Sequence, residues 1–182
     1  MIYYFDTEFV ESGATLHPIS IGIVAEDGRE MYLIADNCTD ARGLVGVEQA
    51  TWLQANVFER LRPTRYPNVR FEFVGDFKAR ILEFIGDDAA PEFWAYYAAH
   101  DWVVLCNLMG GMMALPESWP RLCRDLRVEL DRDPETKNVT DEGRADEHNA
   151  LADARWVRDT RRRMLVDPRE PGQAQEWRGG TQ

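Results

Sequence analysis

The sequence predicts an α/β protein in which helices flank a mixed β-sheet. The chain opens with three strand patterns in succession, and helical and strand patterns then alternate toward its end. Hydrophobic residues make up 45% of its 182 residues, which is enough to bury a core within one domain. These patterns leave the order of the strands in the sheet open.

The three N-terminal strands are predicted over residues 2–10, 18–25 and 30–35. The first two alternate in polarity and are rich in β-branched and aromatic side chains, which strands favour. Asp27 and Gly28 separate the second strand from the third, and this dipeptide is a strong signal for a tight hairpin turn. We therefore expect the first three strands to be antiparallel.

Helices and short strands are predicted in the rest of the chain. Apolar residues at helical spacing cover the ranges 47–61, 73–85, 100–109 and 146–165. Short strands are predicted over 93–97 and 122–126, a loop over 62–72, and a polar irregular segment over 131–143. From residue 167 the chain has few apolar groups, so we expect a domain over 1–166 and a loosely held tail over 167–182.

The composition limits the function classes. A net charge of −11 argues against extended binding of duplex nucleic acid, because such proteins are usually basic. It does not exclude phosphodiester chemistry in which metal ions and local arginines meet the phosphates. No run approaches a membrane span and no basic-then-apolar leader is present. Cys38, Cys106 and Cys123 lack CxxC spacing, so we expect reduced thiols in a cytoplasmic protein.

Asp6 and Glu8, in the segment "YFDTEF", are the first unusual feature of the sequence. Side chains two residues apart on a strand point to the same face, about 7 Å apart along the chain. The surrounding residues are typical of a sheet core, and two buried carboxylates repel each other. A cation between Asp6 and Glu8 would remove this repulsion.

Two further acids occupy apolar faces of predicted helices. Asp101 shares its face with apolar residues three, four and seven positions later, so we expect it to point toward the sheet. Asp153 shares its face with alanines and a valine in the last helix. Each has an alternative interpretation, since Asp101 could be a helix N-cap and Asp153 could pair with a buried arginine. His148 lies five residues before Asp153, near the predicted helix start.

One shared metal site explains the four acids better than four separate buried salt bridges. Carboxylate oxygens, with few imidazole and no sulfur ligands, suit Mg²⁺ or Mn²⁺ rather than zinc. Two such ions about 4 Å apart would stabilise both the attacking and the leaving oxygen of a phosphoryl displacement. The acids therefore predict metal-dependent phosphodiester chemistry.

Three ordered motifs, "FDTEF", "YAAHDWVVL" and "EHNALADA", resemble those of the DEDDh 3′–5′ exonucleases, which have a ribonuclease H-like fold. Longer segments, such as "YFDTEFVESG" and "WAYYAAHDWVVLCNLMGGMMALPESWP", resemble one branch of that family, the bacterial polyadenylate-specific 3′-exoribonuclease ribonuclease AS. The similarity extends from residue 2 to about residue 165. It is weaker over 37–91, in the acidic segment 131–142 and in the tail.

The resemblance implies a role for each acid. Asp6 would bridge two Mg²⁺ or Mn²⁺ ions, Glu8 and Asp153 would complete one ion site, and Asp101 would support the other, through water. His148 would be the general base that takes a proton from the attacking water, which releases a 5′-nucleotide from the 3′ end of single-stranded RNA. The family also implies a homodimer.

The resemblance also makes Phe9 a candidate for stacking on the terminal base, although packing in the core is an equal alternative. It leaves a preference for adenylate open, because the segments that would read the base match less well.

Three other functions compete with the exoribonuclease interpretation. A 3′–5′ DNA exonuclease of the same fold would use the same five acid and histidine side chains. A nucleic-acid-binding scaffold without activity would need none of them, so their joint presence argues against it. A phosphohydrolase of free nucleotides would produce no ladder of shortened oligonucleotides.

Overall fold

A computed structural model describes residues 1–61, 69–132 and 134–165, and it confirms a mixed sheet flanked by helices. The sheet has six strands, one more than predicted. The strands are β1 (Ile2–Ser12), β2 (Thr15–Ala25), β3 (Glu30–Ala35), β4 (Val69–Glu72), β5 (Glu92–Ala95) and β6 (Arg124–Asp125). The helices are α1 (Val47–Asn56), α2 (Phe77–Ile85), α3 (Ala99–Leu108), α4 (Leu126–Arg132) and α5 (Ala150–Leu165). This architecture is consistent with a ribonuclease H-like fold.

The strands lie in the order β4-β3-β2-β1-β5-β6. β1, β2 and β3 are antiparallel neighbours as predicted, whereas β1–β5, β3–β4 and β5–β6 are parallel pairs. The predicted hairpin turn is confirmed, because Gly28 has a φ of +93°, which glycine adopts without strain. The Arg29 backbone N–H closes this turn by donating to Asp27 Oδ1 at 3.0 Å.

Different helices cover the two faces of β1. α5 packs on the face that carries Tyr4, whose hydroxyl accepts a hydrogen bond from Arg161 at 3.1 Å. α3 packs on the opposite face. Because side chains alternate along a strand, Asp6 and Glu8 lie on the α5 face and Thr7 lies on the α3 face. β1 thus carries side chains to both helices.

The sequence-based prediction is wrong at β4 and α4. Residues 69–72, predicted as part of a loop that contains two prolines, form a strand by pairing in parallel with β3. That pairing joins segments far apart in sequence, and local composition does not report it. Only Arg124 and Asp125 of the predicted strand 122–126 are extended, and Leu126 begins α4, which was not predicted.

Helix limits differ from the predicted ones by a few residues. The first helix ends at Asn56 and is followed by a short 3₁₀ turn, Phe58–Arg60. The last helix begins at Ala150 rather than at residue 146, because Asn149 caps it by accepting a hydrogen bond from the Ala152 N–H at 3.1 Å. Residues 62–68 and the predicted tail 167–182 lie outside the described residues.

In the described part of the chain, no helix combines the length and the apolar character that a membrane crossing requires.

Candidate active site

Three of the four predicted metal-binding acids come together between β1 and α5. Carboxylate oxygens of Asp6, Glu8 and Asp153 all lie within 4.8 Å of one another. Glu8 and Asp153 are buried, and Asp6 is half-buried. Three carboxylates at this separation can share one cation, and their oxygens are the ligands that Mg²⁺ and Mn²⁺ prefer.

Gly22 allows α5 to approach the sheet closely enough to complete this cluster. It lies opposite Asp6 in the β1–β2 register. A Cβ atom at Gly22 would come within 2.4 Å of the Leu151 backbone, so no larger residue fits without moving the helix. The missing side chain therefore brings Asp153 of α5 to the acids of β1.

Asp101 approaches the cluster from the other face of β1. Its Oδ1 accepts hydrogen bonds from the Thr7 backbone N–H at 2.9 Å and from the Thr7 hydroxyl at 2.6 Å. The N-cap of α3 is Ala98, so the N-cap alternative for Asp101 is wrong. Asp101 is buried and points to the sheet as predicted, although it is outside the group of three close carboxylates.

Burial raises the pKa values of these acids, and neighbouring carboxylates add to the shifts of Asp6 and Glu8. Burial raises the pKa of Glu8 to about 8, with the charge of Asp101 adding to the shift. Burial likewise raises the pKa of Asp101 to about 6, against the hydrogen bonds from Thr7. The pKa of Asp6 lies well above its ordinary value, through burial first and then through Asp101 and Glu8. A bound cation would relieve this concentration of negative charge.

Arg144 is the nearest described counter-charge to Asp153. Its guanidinium forms an ion pair with the Asp153 carboxylate and lies over the Trp156 ring, 5.5 Å from the centroid. The alternative of an arginine partner for Asp153 is thus also realised, although Arg144 is half-buried rather than buried. Asp153 both belongs to the acid cluster and pairs with Arg144.

His148 lies just before α5 and has a φ of +63°, a strained conformation for a residue with a Cβ atom. Its Nε2 is 3.5 Å from Glu147 Oε1, and its ring packs edge-on against Trp52 with centroids 5.0 Å apart. Burial lowers the pKa of His148, while Glu147 opposes this shift and Arg60 reinforces it. The neutral imidazole, which can accept a proton, is therefore favoured. His148 is not part of the three-carboxylate group.

Phe9 follows Glu8 at a break in the β1–β2 register, where a β-bulge changes the direction of the strand. It is half-buried, and its ring lies 5.8 Å from that of exposed His100. Both rings are thus next in sequence to acids of the site, Glu8 and Asp101.

Residues 1–164 match the family described as the 3′–5′ exoribonuclease Rv2179c-like domain. The chain belongs to this family. Two Mycobacterium tuberculosis relatives, 3′–5′ exoribonuclease Rv2179c of strain H37Rv and 3′–5′ exoribonuclease MT2234.1 of strain CDC 1551, are each 38% identical to it over 157 residues. The aligned region covers 85% of this chain and 88% of each relative.

The sequence did not lead us to predict several residues that surround the site of this Rv2179c-like domain. Gly22 had a usable signal, since a glycine inside a strand pattern often marks a close backbone approach. Thr7 lies between the two acids of β1 and gives no separate signal. Arg144, Asp141 and Glu147 come from a segment without periodicity, and only the fold shows that their charges reach the acids.

Proposed function

We propose that this protein is a metal-dependent 3′–5′ exoribonuclease that releases 5′-nucleotides from the 3′ ends of single-stranded RNA. Membership in the Rv2179c-like family makes it a hydrolase of this activity class. The observation that carries the finer proposal is the convergence of Asp6, Glu8 and Asp153 within 4.8 Å, in a chain of that family. We also assign the chain to the DEDDh exonucleases and, within them, to the ribonuclease AS branch, on its ordered motifs.

We propose that the acids of the site hold two divalent cations. Buried carboxylates with raised pKa values are unstable as neighbouring anions, and binding Mg²⁺ or Mn²⁺ would stabilise them. Asp6, Glu8 and Asp153 would hold the ions, with Asp101 supporting the second one. When bound, the ions would supply positive charge at the attacking and leaving oxygens of the phosphodiester.

Other side chains of the protein would orient the metal-binding carboxylates and accept the proton of the attacking water. Thr7 fixes the orientation of Asp101 through two hydrogen bonds, so that this carboxylate is held in place before substrate binds. His148 is the general base in this proposal, because its neutral form is favoured and Glu147 is placed to stabilise the imidazolium that forms on proton transfer.

Recognition of the substrate is proposed to use Phe9 as a stacking surface for the terminal base, since Phe9 is only half-buried and lies beside exposed His100. The ribonuclease AS resemblance supports a homodimeric state, and it motivates a test for a preference for adenylate tails. A net charge of −11 supports a short single-stranded end as the substrate rather than a long bound strand.

A timed degradation of 5′-labelled single-stranded RNA with Mn²⁺ tests this function. The same sequence as DNA and an Asp6→Asn protein are the controls. A ladder that shortens from the 3′ end of the RNA, absent in the variant and faint on DNA, is the expected result. Equal or faster cleavage of DNA would establish a DNA exonuclease instead, and no cleavage of either strand would overturn the proposal.

Two further measurements address the finer points of the proposal. Homopolymers of adenylate, uridylate and cytidylate, compared at equal length, test the base preference. Gel filtration with light scattering tests the homodimer, for which the expected mass is twice that of the 21.0 kDa chain.

A further inference from the structure

We propose that Asp125 and Arg127, at the junction of β6 and α4, are positioning residues that hold the two chain segments leading into the active site. This inference rests on the proposed exoribonuclease function. Neither residue belongs to the acid cluster. One side chain binds the segment before His148, and the other binds the turn before Asp101.

Arg127 holds the segment that precedes His148. Its side chain is only 10% exposed, although it carries a permanent charge. Nη1 donates to the Val139 carbonyl at 2.7 Å, and Nη2 donates to the Lys137 carbonyl at 2.9 Å. Asp131 on the same helix accepts a further hydrogen bond at 2.6 Å and balances the charge. A rigid guanidinium thus bonds two carbonyls of a segment outside helices and strands.

The segment fixed by Arg127 continues directly into the residues around the acids. Arg144 and His148 follow Val139 along it. A second route runs through side chains, because Nη1 also lies 3.4 Å from the Tyr96 hydroxyl, and the Tyr96 ring packs on Trp156 at 4.9 Å between centroids. Trp156 is the ring over which Arg144 lies. Arg127 is thus connected to Arg144 both along the backbone and through the Tyr96 and Trp156 side chains.

Asp125 holds the turn before α3. Its Oδ1 accepts the Tyr97 N–H at 3.2 Å, and its Oδ2 accepts the Ala98 N–H at 3.0 Å. Tyr97 has a φ of +54°, which a residue with a Cβ atom adopts only when its surroundings enforce it. Ala98 is the N-cap of α3, three residues before Asp101. The Asp125 carboxylate therefore stabilises a strained turn. This turn determines where α3 begins, and hence where Asp101 lies relative to Thr7.

Four variants separate positioning from general stability. Arg127→Gln removes the guanidinium, and Arg127→Lys keeps the charge but cannot bond both carbonyls in the same way. Asp125→Asn keeps the shape and replaces one acceptor oxygen with a donor. Arg132→Gln is the matched control, because Arg132 lies on the same helix, pairs with Glu129 and is 69% exposed at its side chain. Each protein is checked for folding by circular dichroism.

Different readouts are expected for the two residues. Arg127→Gln should lower kcat on single-stranded RNA by about tenfold to a hundredfold with little change in KM, since small displacements of catalytic groups have effects of this size. Arg127→Lys should recover part of this loss. Asp125→Asn should weaken Mn²⁺ binding, measured by calorimetry without RNA, by about tenfold through Asp101. Arg132→Gln should match wild type in both assays.

Opposite results would overturn the proposal. A folded Arg127→Gln protein with wild-type kcat, or an Arg132→Gln protein with the same loss, would show that Arg127 does not position the site. If Arg127→Gln does not fold, a wild-type kcat for Arg127→Lys would reduce Arg127 to a packing role. Wild-type Mn²⁺ affinity in Asp125→Asn would exclude the second half of the inference. Because calorimetry needs no RNA, failure of the exoribonuclease function would be seen separately, in the wild-type degradation assay.

Discussion

Glu8 on β1 and Glu30 on β3 are the same residue type on one sheet, yet their surroundings are opposite. Burial and the charge of Asp101 raise the pKa of Glu8 to about 8. A hydrogen bond from Arg155 lowers the pKa of Glu30, against its partial burial. Arg155 Nε donates to Glu30 Oε1 at 2.8 Å, and Arg158 Nη1 lies 4.0 Å from the same oxygen.

Helix α5 supplies the difference between these two glutamates. It presents Asp153 to Glu8 and two arginines to Glu30. The arginines of this helix therefore neutralise Glu30 and do not neutralise Glu8. Arg144 compensates only part of the cluster, and the remaining repulsion is a stability cost that structural ion pairs elsewhere do not carry. Such an arrangement is typical of a functional site.

The largest expected effect is on catalysis. Glu8→Gln should lower kcat on single-stranded RNA by about a thousandfold, because in the proposed function Glu8 is a metal ligand whose loss removes several kcal/mol of transition-state stabilisation. Glu30→Gln should leave kcat unchanged. Initial rates of 3′ shortening at saturating Mn²⁺ measure both. Equal rates in the two variants would remove the distinction between a functional and a structural glutamate.

The second effect is stabilisation by metal. Mn²⁺ at about 100 times its Kd should stabilise the wild-type fold by about 2.7 kcal/mol, which corresponds to a rise in Tm of about 5–10 °C for a chain of this size. The Glu30→Gln protein should show the same rise, and Glu8→Gln should lose most of it. Thermal denaturation in EDTA and in Mn²⁺ measures the shift. A wild-type Tm that Mn²⁺ does not change would contradict the shared metal site.

Much of the fold could be predicted from local patterns. The alternation along β1 and β2 and the turn at Asp27 and Gly28 are local, so they appear in the sequence alone. β4 and α4 could not be predicted in this way. β4 is a strand because β3 offers a partner, and α4 begins in a short stretch where apolar and charged residues alternate, a pattern that favours a strand rather than a helix.

The acids of the site could also be predicted, and their neighbours could not. Asp6, Glu8 and Asp153 are recognisable because each occupies a face whose other members are apolar. Arg144 is one charge among many in a polar segment, so its proximity to Asp153 follows only from the fold. Gly22 could be predicted only in part. A glycine within a strand suggests that another backbone comes close, but the sequence does not identify α5 as that backbone.

A third effect concerns the pH dependence of stability without metal. The pKa of Glu8 is about 8 in the folded protein and that of Asp101 is about 6, whereas unfolded carboxylates titrate near about pH 4. The folded state therefore binds more protons between about pH 4 and about pH 8, and its stability should fall as pH rises, with both groups contributing up to about pH 6 and Glu8 alone from there to about pH 8. Glu30, whose pKa is lowered, contributes stability in the opposite sense, lost only as pH falls through its folded pKa.

Denaturant titrations in EDTA across this pH range measure the slope. Glu8→Gln should flatten it, Glu30→Gln should retain it, and saturating Mn²⁺ should suppress it in the wild type. A metal-free protein that becomes more stable toward pH 8 would show that Glu8 is ionised without cost, contrary to its buried position among other acids.

The smallest expected effect comes from the pairs that serve only the fold. Glu30→Gln should destabilise the protein by about 0.5–1 kcal/mol, because the side chains of Glu30 and Arg155 are 23% and 38% exposed and solvent screens their pair. This loss should shrink in about 1 M salt. Glu8→Gln should instead stabilise the metal-free protein at neutral pH, since Glu8 must take up a proton on folding at that pH, whereas Gln is neutral in both states. Chemical denaturation of both variants in EDTA compares the two signs directly, and destabilisation by Glu8→Gln would mean that the acid cluster is an ordinary, fully compensated part of the core.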